Sequence, residues 1–402
     1  MKFVKNWGRL GMTFETVSIG DVADVTKLAG FEFTKYIEYN ETGEIIALRA
    51  LNLRNGTLDL TDIKRIDRSV SEKLPRSKLY INDILLTYTG NGYGDCAIVE
   101  EDDKYHLAPN ICKIAPNPEK INPYFLYSVI RSSYFYQQMK NYIGGSSQPT
   151  IPMKTIRVLQ VPYPPIQTQN QIASILHGIN SKVVVNTAIN ENLESQAQAL
   201  FKAWFVDFEP FGGVMPEDWK VGMIKDIIEL HDSKRIPLSG SEREKMDKIY
   251  PYYGATSCMD YVDNYIFDGK YLLLGEDGTV IDKNGYPILQ YVEGKFWVNN
   301  HAHIITGKLG YTVEILYLLF KQTNVKHIVT GAVQPKISQA NLKKVPVTIP
   351  NIKDLDAFNN IIQPIFAMIR KNRNENEKLA LLRDILLPKL MNGEIDVSEV
   401  KI

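Results

Sequence analysis

The sequence predicts an α+β chain. Two mixed α/β globular domains are separated by two long antiparallel helices, which form an intramolecular coiled coil with pseudo-two-fold symmetry. Three observations lead there. First, shifting the chain by 186 residues brings residues 145–200 onto 331–386 without a gap, with fourteen identities in fifty-six positions. They include Gln148/Gln334, Pro149/Pro335, Val161/Val347, Asn186/Asn372, Asn190/Asn376 and Leu193/Leu379. Second, each copy ends in a long apolar stripe of helical period. Third, 402 residues exceed what one core organises but suit two ordinary domains with helical connectors. A repeat of this length is a duplicated domain plus connector, since solenoid units run roughly 20–50 residues.

The elements follow in order. Each half opens on a short strand pattern, Val17-Ser-Ile-Gly-Asp-Val22 and Trp219-Lys-Val-Gly-Met-Ile-Lys-Asp-Ile-Ile228. Later come the apolar runs Ile84-Leu-Leu-Thr-Tyr88 and Tyr271-Leu-Leu-Leu274, each before a glycine-rich turn. A helix is expected after Asn122-Pro123, with Asn at the N-cap and Pro at the first helical position. The exits Val161-Pro-Tyr-Pro-Pro165 and Val345-Pro-Val-Thr-Ile-Pro350 stop a strand and set the entry to a helix. In the helix, Ile172, Ile175, Ile179, Val183, Asn186, Ile189, Leu193, Gln196, Leu200 and Trp204 step by threes and fours. Phe358, Ile361, Ile365, Ile369, Asn372, Glu375, Leu379, Leu382, Leu386 and Leu390 take identical steps.

That alternation holds one seam toward a partner helix, and about 40 residues at 1.5 Å per residue span roughly 60 Å. The expected helix-pair interface is Ile175, Ile179, Val183, Asn186, Leu193 and Leu200 against Ile361, Ile365, Ile369, Asn372, Leu379 and Leu386. Asn186 and Asn372 interrupt both seams near their midpoints, so antiparallel pairing would place them together at the crossing. A buried Asn pair costs stability and fixes register. Such a pair would hold two heads at opposite ends of a rod and act as a ruler between them.

Composition is that of a soluble globular chain, 44% hydrophobic and 23% charged, with 46 basic and 46 acidic residues. A neutral balance does not announce nucleic acid, although basic residues gathered on one face would suffice. Cys96, Cys112 and Cys258 are odd in number and lack C-x-x-C spacing, which argues against a disulfide framework or a zinc site. The opening run MKFVKNWGRLGMT has no apolar stretch of the signal-peptide kind, and apolar runs such as 315–320 fall far short of a membrane span of about 20 residues. A cytoplasmic location, with no membrane partner, is expected.

Motifs for catalysis are weak. Asn122-Pro-Tyr-Phe125 lacks the second proline of an amino-methyltransferase loop and reads better as a helix cap. Gly90-Asn-Gly-Tyr-Gly94 leads into another apolar run rather than a helix, so it is a turn or binding loop. No G-x-x-x-x-G-K-[ST] loop occurs. Asp277, Asp282, Glu293 and Lys295 do not form the adjacent-strand pattern of a nuclease metal site, and His301 and His303 lack a third ligand. No catalytic residue and no metal ligand is expected.

Other segments resemble a known family. Phe201-Lys-Ala-Trp-Phe-Val-Asp-Phe-Glu-Pro-Phe211 and Leu386-Leu-Pro-Lys-Leu-Met-Asn-Gly-Glu-Ile395 resemble the closing segments of conserved regions in type I restriction-modification specificity subunits. Tyr252-Tyr-Gly-Ala-Thr256, Gly275-Glu-Asp-Gly278 and Val298-Asn-Asn-His-Ala-His303 are similar to one kind of target recognition domain. The resemblance covers essentially the whole chain and lies in the order of its parts.

It implies target recognition domain 1 over residues 1–163, a spacer helix region over 164–210, domain 2 over 211–350, and a second spacer helix with a tail over 351–402. It further implies a non-catalytic DNA-specificity subunit whose domains each read half of an asymmetric bipartite site in double-stranded DNA. The helices would set the spacing and dock two methyltransferase subunits, with restriction and translocase subunits joining through the complex. No cofactor is expected on this chain; S-adenosylmethionine, ATP and Mg2+ would belong to the partners. The competing reading is a two-headed protein-binding scaffold that reads no DNA sequence.

Sequence readers place Arg, Lys, Asn and Gln on base edges, and hold phosphates with basic groups, hydroxyls and backbone amides. In the first domain the candidates are Lys64, Arg65 and Arg68 of the basic stretch 64–78, Thr89, Asn91 and Tyr93 of one glycine loop, and Ser146, Ser147 and Gln148 of another. In the second they are Ser233, Lys234, Arg235, Tyr253, Thr256, Glu276, Asp277, His301, Gln334 and Lys336. Glycine in these loops permits close backbone approach to phosphate. Outside the shared block the domains align poorly, as expected of heads that read different sequences.

Overall fold

The computed structural model describes residues 14–90, 92–142, 149–331 and 333–400. The chain divides into two compact units, one of Met1–Val184 with Glu375–Ile402, the other of Val185–Asn374. Each unit holds one α/β domain and one half of each long helix.

In the first unit, β1 (Thr16–Ser18) leads through the short helix α1 (Ile19–Val22) into β2 (Ala23–Lys27). β3 (Ile45–Leu48), β4 (Lys64–Ile66), β5 (Ile84–Thr87), β6 (Cys96–Ile98), β7 (Tyr105–Leu107) and β8 (Ile111–Pro116) follow. Helices α2 (Pro123–Ile130), α3 (Ser133–Lys140) and α4 (Met153–Val158), the exit strand β9 (Gln160–Pro162) and the long helix α5 (Ile166–Phe205) come next. The central sheet has the order β2-β8-β5-β6, all antiparallel. β4-β3-β7 make a second small sheet, and β1 pairs with β9. Asn122 caps α2 as its sequence suggests, its side chain accepting from Phe125 N at 2.9 Å, with Pro123 at the first position where no N–H is needed.

The second unit repeats this plan. It runs β10 (Lys220–Met223), α6 (Ile224–Ile227), β11 (Ile228–Leu230), then the hairpin β12 (Tyr250–Tyr253) and β13 (Cys258–Val262). β14 (Phe267–Gly275), β15 (Leu289–Val298), β16 (Ala302–Gly307), α7 (Val313–Lys321), α8 (Gln339–Leu342), the exit strand β17 (Pro346–Ile349) and α9 (Ile352–Met391) complete it. Its sheet, β11-β16-β14-β15-β12-β13, contains the first unit's four-stranded order and extends it by the hairpin. β10 pairs with β17 as β1 does with β9. The units differ in what is added to this order: β3 and β4, inserted after β2, pair with β7 in a second sheet in one unit, and the β12–β13 hairpin is inserted after β11 in the other.

α5 and α9 are each 40 residues long, and both of their bounds lie 186 residues apart. Within each unit the helix halves run antiparallel. In the second unit Phe358 packs its ring on Phe201, Trp204 and Phe205 at centroid distances of 5.9, 5.4 and 4.7 Å, while Asn372 Nδ2 donates to Asn190 Oδ1 at 2.9 Å. In the first unit Asn376 Nδ2 donates to the Val183 carbonyl at 3.4 Å and Arg383 to Asn180 Oδ1 at 3.3 Å. Residue numbers fall on one helix as they rise on the other.

Expected seam residues take varied positions. Asn186, Ile369 and Asn372 are buried; Ile175, Ile179, Val183, Leu193, Leu200, Ile365, Leu379 and Leu386 are half-buried. Ile361 is 41% exposed, and its neighbour Ile362 is buried instead. Leu176, Phe201, Ile362, Phe366 and Leu387 are also buried, each one residue beyond an expected position. The stripe is two residues wide at 175–176, 361–362 and 365–366, so periodicity alone leaves its phase open. Packing against the domain settles it: Phe366 sits among the rings of Tyr291 and Tyr317, at 5.7 and 6.0 Å. The register also brings Asn372 to Asn190, one helical turn from Asn186.

Candidate nucleic-acid interface

Both units build the same bridge at one end of the central sheet. As β14 ends, Glu276-Asp277-Gly278 turns and meets Pro335-Lys336-Ile337 of the loop before α8. Gly278 N donates to Pro335 O at 3.0 Å and Ile337 N to Glu276 O at 2.8 Å, and Glu276 N reaches His301 O at 2.8 Å. In the first unit Gly90 N donates to Pro149 O at 3.0 Å, Ile151 N to Tyr88 O at 2.9 Å, and Tyr88 N to Asn110 O at 3.2 Å. Thr89 and Thr150 form one backbone bridge, Asp277 and Lys336 the other. Gly90 and Gly278 hold equivalent places with φ of 85° and 84° and open space where a Cβ would stand, so backbone conformation is what requires glycine there.

The side chains on this shared frame differ. In the first unit the Thr89 and Thr150 hydroxyls lie 2.7 Å apart, and the Tyr93 ring stacks on Tyr136 at 5.5 Å and 10° with their hydroxyls bonded at 2.9 Å. The bridge is uncharged. Lys64, Arg65 and Arg68 belong to a different place, on and just after β4 in the second small sheet. Arg65 donates to Gly43 O at 3.2 Å and Arg68 pairs with Asp103, leaving Lys64 exposed without such a partner among the described contacts. Asn91, Ser146, Ser147 and Gln148 lie outside the described residues.

In the second unit the bridge is charged throughout. Arg235, only 14% exposed, donates to Glu276 Oε2 at 2.6 Å and to the carbonyls of Ala302, Asn300 and Asp232 at 2.9, 3.2 and 3.0 Å. Lys336 Nζ lies 3.1 Å from Glu276 Oε1, and the His301 ring is bonded to the Asp277 carboxylate. Below them His303, fully buried, bonds Asp232 Oδ2 through Nδ1 at 2.6 Å and the Ile337 carbonyl through Nε2 at 2.7 Å. Gln339 also donates to Asp232, at 2.6 Å.

Burial by itself would raise the Asp232 carboxyl, but the hydrogen bond and charge of His303, the Ile304 amide and Arg235 hold it below its ordinary range. Glu276 likewise sits below its range, burial being outweighed by Arg235, His303 and Lys336. The arrangement thus separates inner from outer groups. Arg235 and Glu276 are committed to one another and to the backbone. Lys336 and His301 are half exposed, at 48% and 44%, and Ser233, Lys234, Thr256 and Gln334 are exposed. Tyr253 is half-buried in the hairpin, its carbonyl accepting from Asn299 N.

Asp232, Glu276 and His303 bring three ligand-type atoms within 4.8 Å of one another. A metal ion does not fit this set. The Arg235 guanidinium and the Lys336 ammonium already pair with these carboxylates, and both ring nitrogens of His303 are engaged. Sequence reasoning missed Thr150, Tyr136, Asp232 and Gln339. The 186-residue shift that maps Thr150 onto Lys336 carried the signal for the first; no local pattern marks the others.

Among the described residues no helix is long and apolar enough to cross a membrane. The type I restriction modification DNA specificity domain matches the chain twice, over residues 12–195 and 216–382. The MjaIX specificity subunit of Methanocaldococcus jannaschii is 25% identical, with 98% of this chain and 96% of that protein covered. The HindI specificity subunit of Haemophilus influenzae is 22% identical over 94% and 98%. The S subunit of a type I system from M. genitalium has a similar fold, with a TM-score of 0.58 at 15% identity over 94% and 96% of the two chains. With two copies of the domain spanning most of its length, the chain belongs to the type I restriction-modification DNA specificity family, whose part is sequence recognition rather than catalysis.

Proposed function

We propose that each α/β domain reads one half of an asymmetric, bipartite DNA site through the loops around its bridge. The observation that carries this reading is one backbone frame presenting two different chemistries: threonine hydroxyls and stacked tyrosines in one unit, a charged cluster in the other. Identical heads would suit a palindrome; these suit an asymmetric pair of half-sites. In the second unit Lys234, His301, Gln334 and Lys336 are the groups for DNA, with Arg235 and Glu276 as their support. In the first the groups are Thr89, Tyr93 and Thr150, with Lys64 as a phosphate contact.

The proposed division is 1–163 and 211–350 as recognition domains, with 164–210 and 351–402 as spacer regions. The helices set the half-site spacing and dock methyltransferase subunits, and restriction and translocase subunits join through the complex. Those partners hold S-adenosylmethionine, ATP and Mg2+, and the assembly works in the cytoplasm. Co-expression with the methyltransferase partner, followed by mapping of methylation on a random duplex library, tests this. The expected result is a split motif with unlike halves; a continuous or palindromic motif, or none, would overturn it.

A further inference from the structure

We infer that Arg370 is a positioning residue for half-site spacing, locking the recognition sheet of the Val185–Asn374 unit to its own long helix; this rests on the bipartite reading above. Four elements converge on one buried oxygen. Glu314, on α7 and 1% exposed, accepts at Oε1 from Lys270 Nζ of β14 at 2.9 Å, from the Tyr291 hydroxyl of β15 at 2.8 Å and from Arg370 Nη1 of α9 at 3.1 Å. Arg370 also donates to the Tyr291 hydroxyl at 3.1 Å and pairs through Nε with Glu293 of β15 at 3.3 Å.

Apolar packing already joins these elements through Tyr291, Tyr317 and Phe366. Apolar burial is non-directional and ring pairs at these distances have shallow orientation preferences, whereas charge-assisted hydrogen bonds on a buried carboxylate are short and strongly directional. The residue 186 positions before Arg370 is Val184, 58% exposed, so the shared scaffold forms without this arginine. What the arginine adds is a fixed angle between helix and reading surface. The scale is relevant: a swing of about 10° at a radius of about 20 Å displaces that surface by about one base-pair step of 3.4 Å.

The test uses the complex with co-expressed methyltransferase subunits and a duplex library carrying both half-sites at varied spacers. In Arg370→Gln the half-site bases should be unchanged, while discrimination between the native spacer and spacers one base pair longer or shorter should fall about tenfold, the size of one charge-assisted hydrogen bond. Glu314→Gln should fall likewise, and Arg370→Lys should recover most of the discrimination. Spacer discrimination within about twofold of the parent in a folded Arg370→Gln complex would reduce the clamp to a structural role and overturn the inference. Failure of the parent complex to show any split motif would instead defeat the reading beneath it.

Discussion

At the scale of single residues, the charged bridge separates groups committed to one another from groups left exposed. Arg235 has the residue type of a base reader, yet its guanidinium is bonded to Glu276 and to three carbonyls. Removing it takes from half-buried Glu276 its closest cation and from buried Asp232 a second cation beside His303, a loss of about 3–5 kcal/mol where a buried pair is broken. Arg235→Ala should therefore lower the melting temperature of the second unit, and an unchanged melting curve would show that Arg235 is free to contact DNA. Lys336→Ala should leave melting intact. In the assembled complex it should weaken DNA binding at all sequences and reduce the slope of log affinity against log salt by about one.

The same cluster sets an acid dependence. Asp232 and Glu276 lie below their ordinary range in the folded unit, so their contribution is complete above the ordinary carboxylate value of about 4 and is lost as pH falls through the lower folded value. Denaturant midpoints of the parent should drop across that acid window. Asp232→Asn should start from a lower midpoint at neutral pH and decline less steeply; parallel curves for the two proteins would contradict the assignment.

At the scale of elements, the long helices show what a periodic pattern decides and what it leaves open. Their length and their 186-residue offset were legible because spacing of threes and fours persists over about nine turns in each copy. Their rotational phase was not, because the stripe is two residues wide and each helix faces both a partner helix and a domain. Ile362 and Phe366 are buried where Ile361 and Ile365 were the expected contacts. The polar interruptions are legible as a pair of asparagine positions, but the bond from Asn372 goes to Asn190. Replacing Asn186 and Asn372 with Leu removes two buried polar groups, one of them bonded across the seam to Asn190. The melting temperature should rise, while exchange of helix amides or a spin-label distance should show a broadened register. A fall in melting temperature with a single sharp register would argue that the pair is stabilising outright.

At the scale of the whole molecule, chain order and folding unit are not the same thing. Residues 375–400 fold with the N-terminal domain: Leu387, Leu390, Met391 and Val397 are buried in one cluster with Ile172, Leu176 and Phe125. Each such side chain contributes about 1.5–3 kcal/mol on burial, so together they are comparable to the entire stability of a domain. A chain ending after Asn374 should keep the melting transition of the second unit and lose or greatly lower that of the first. Retention of both transitions would mean that the tail is dispensable.

By itself the sequence determined the duplication, the two helices, their proline-bounded entries and the family, because these depend on local spacing and on order along the chain. Tertiary structure alone decided three things: that Tyr88 and Glu276, 188 residues apart, begin equivalent bridges; that the Arg235 guanidinium turns inward; and that Arg370 reaches a buried carboxylate on a separate helix. The reason is physical. Periodicity records which face of an element is apolar, whereas the partner a polar group finds depends on which other elements arrive beside it. No pattern local to Arg235 or Arg370 carries that information.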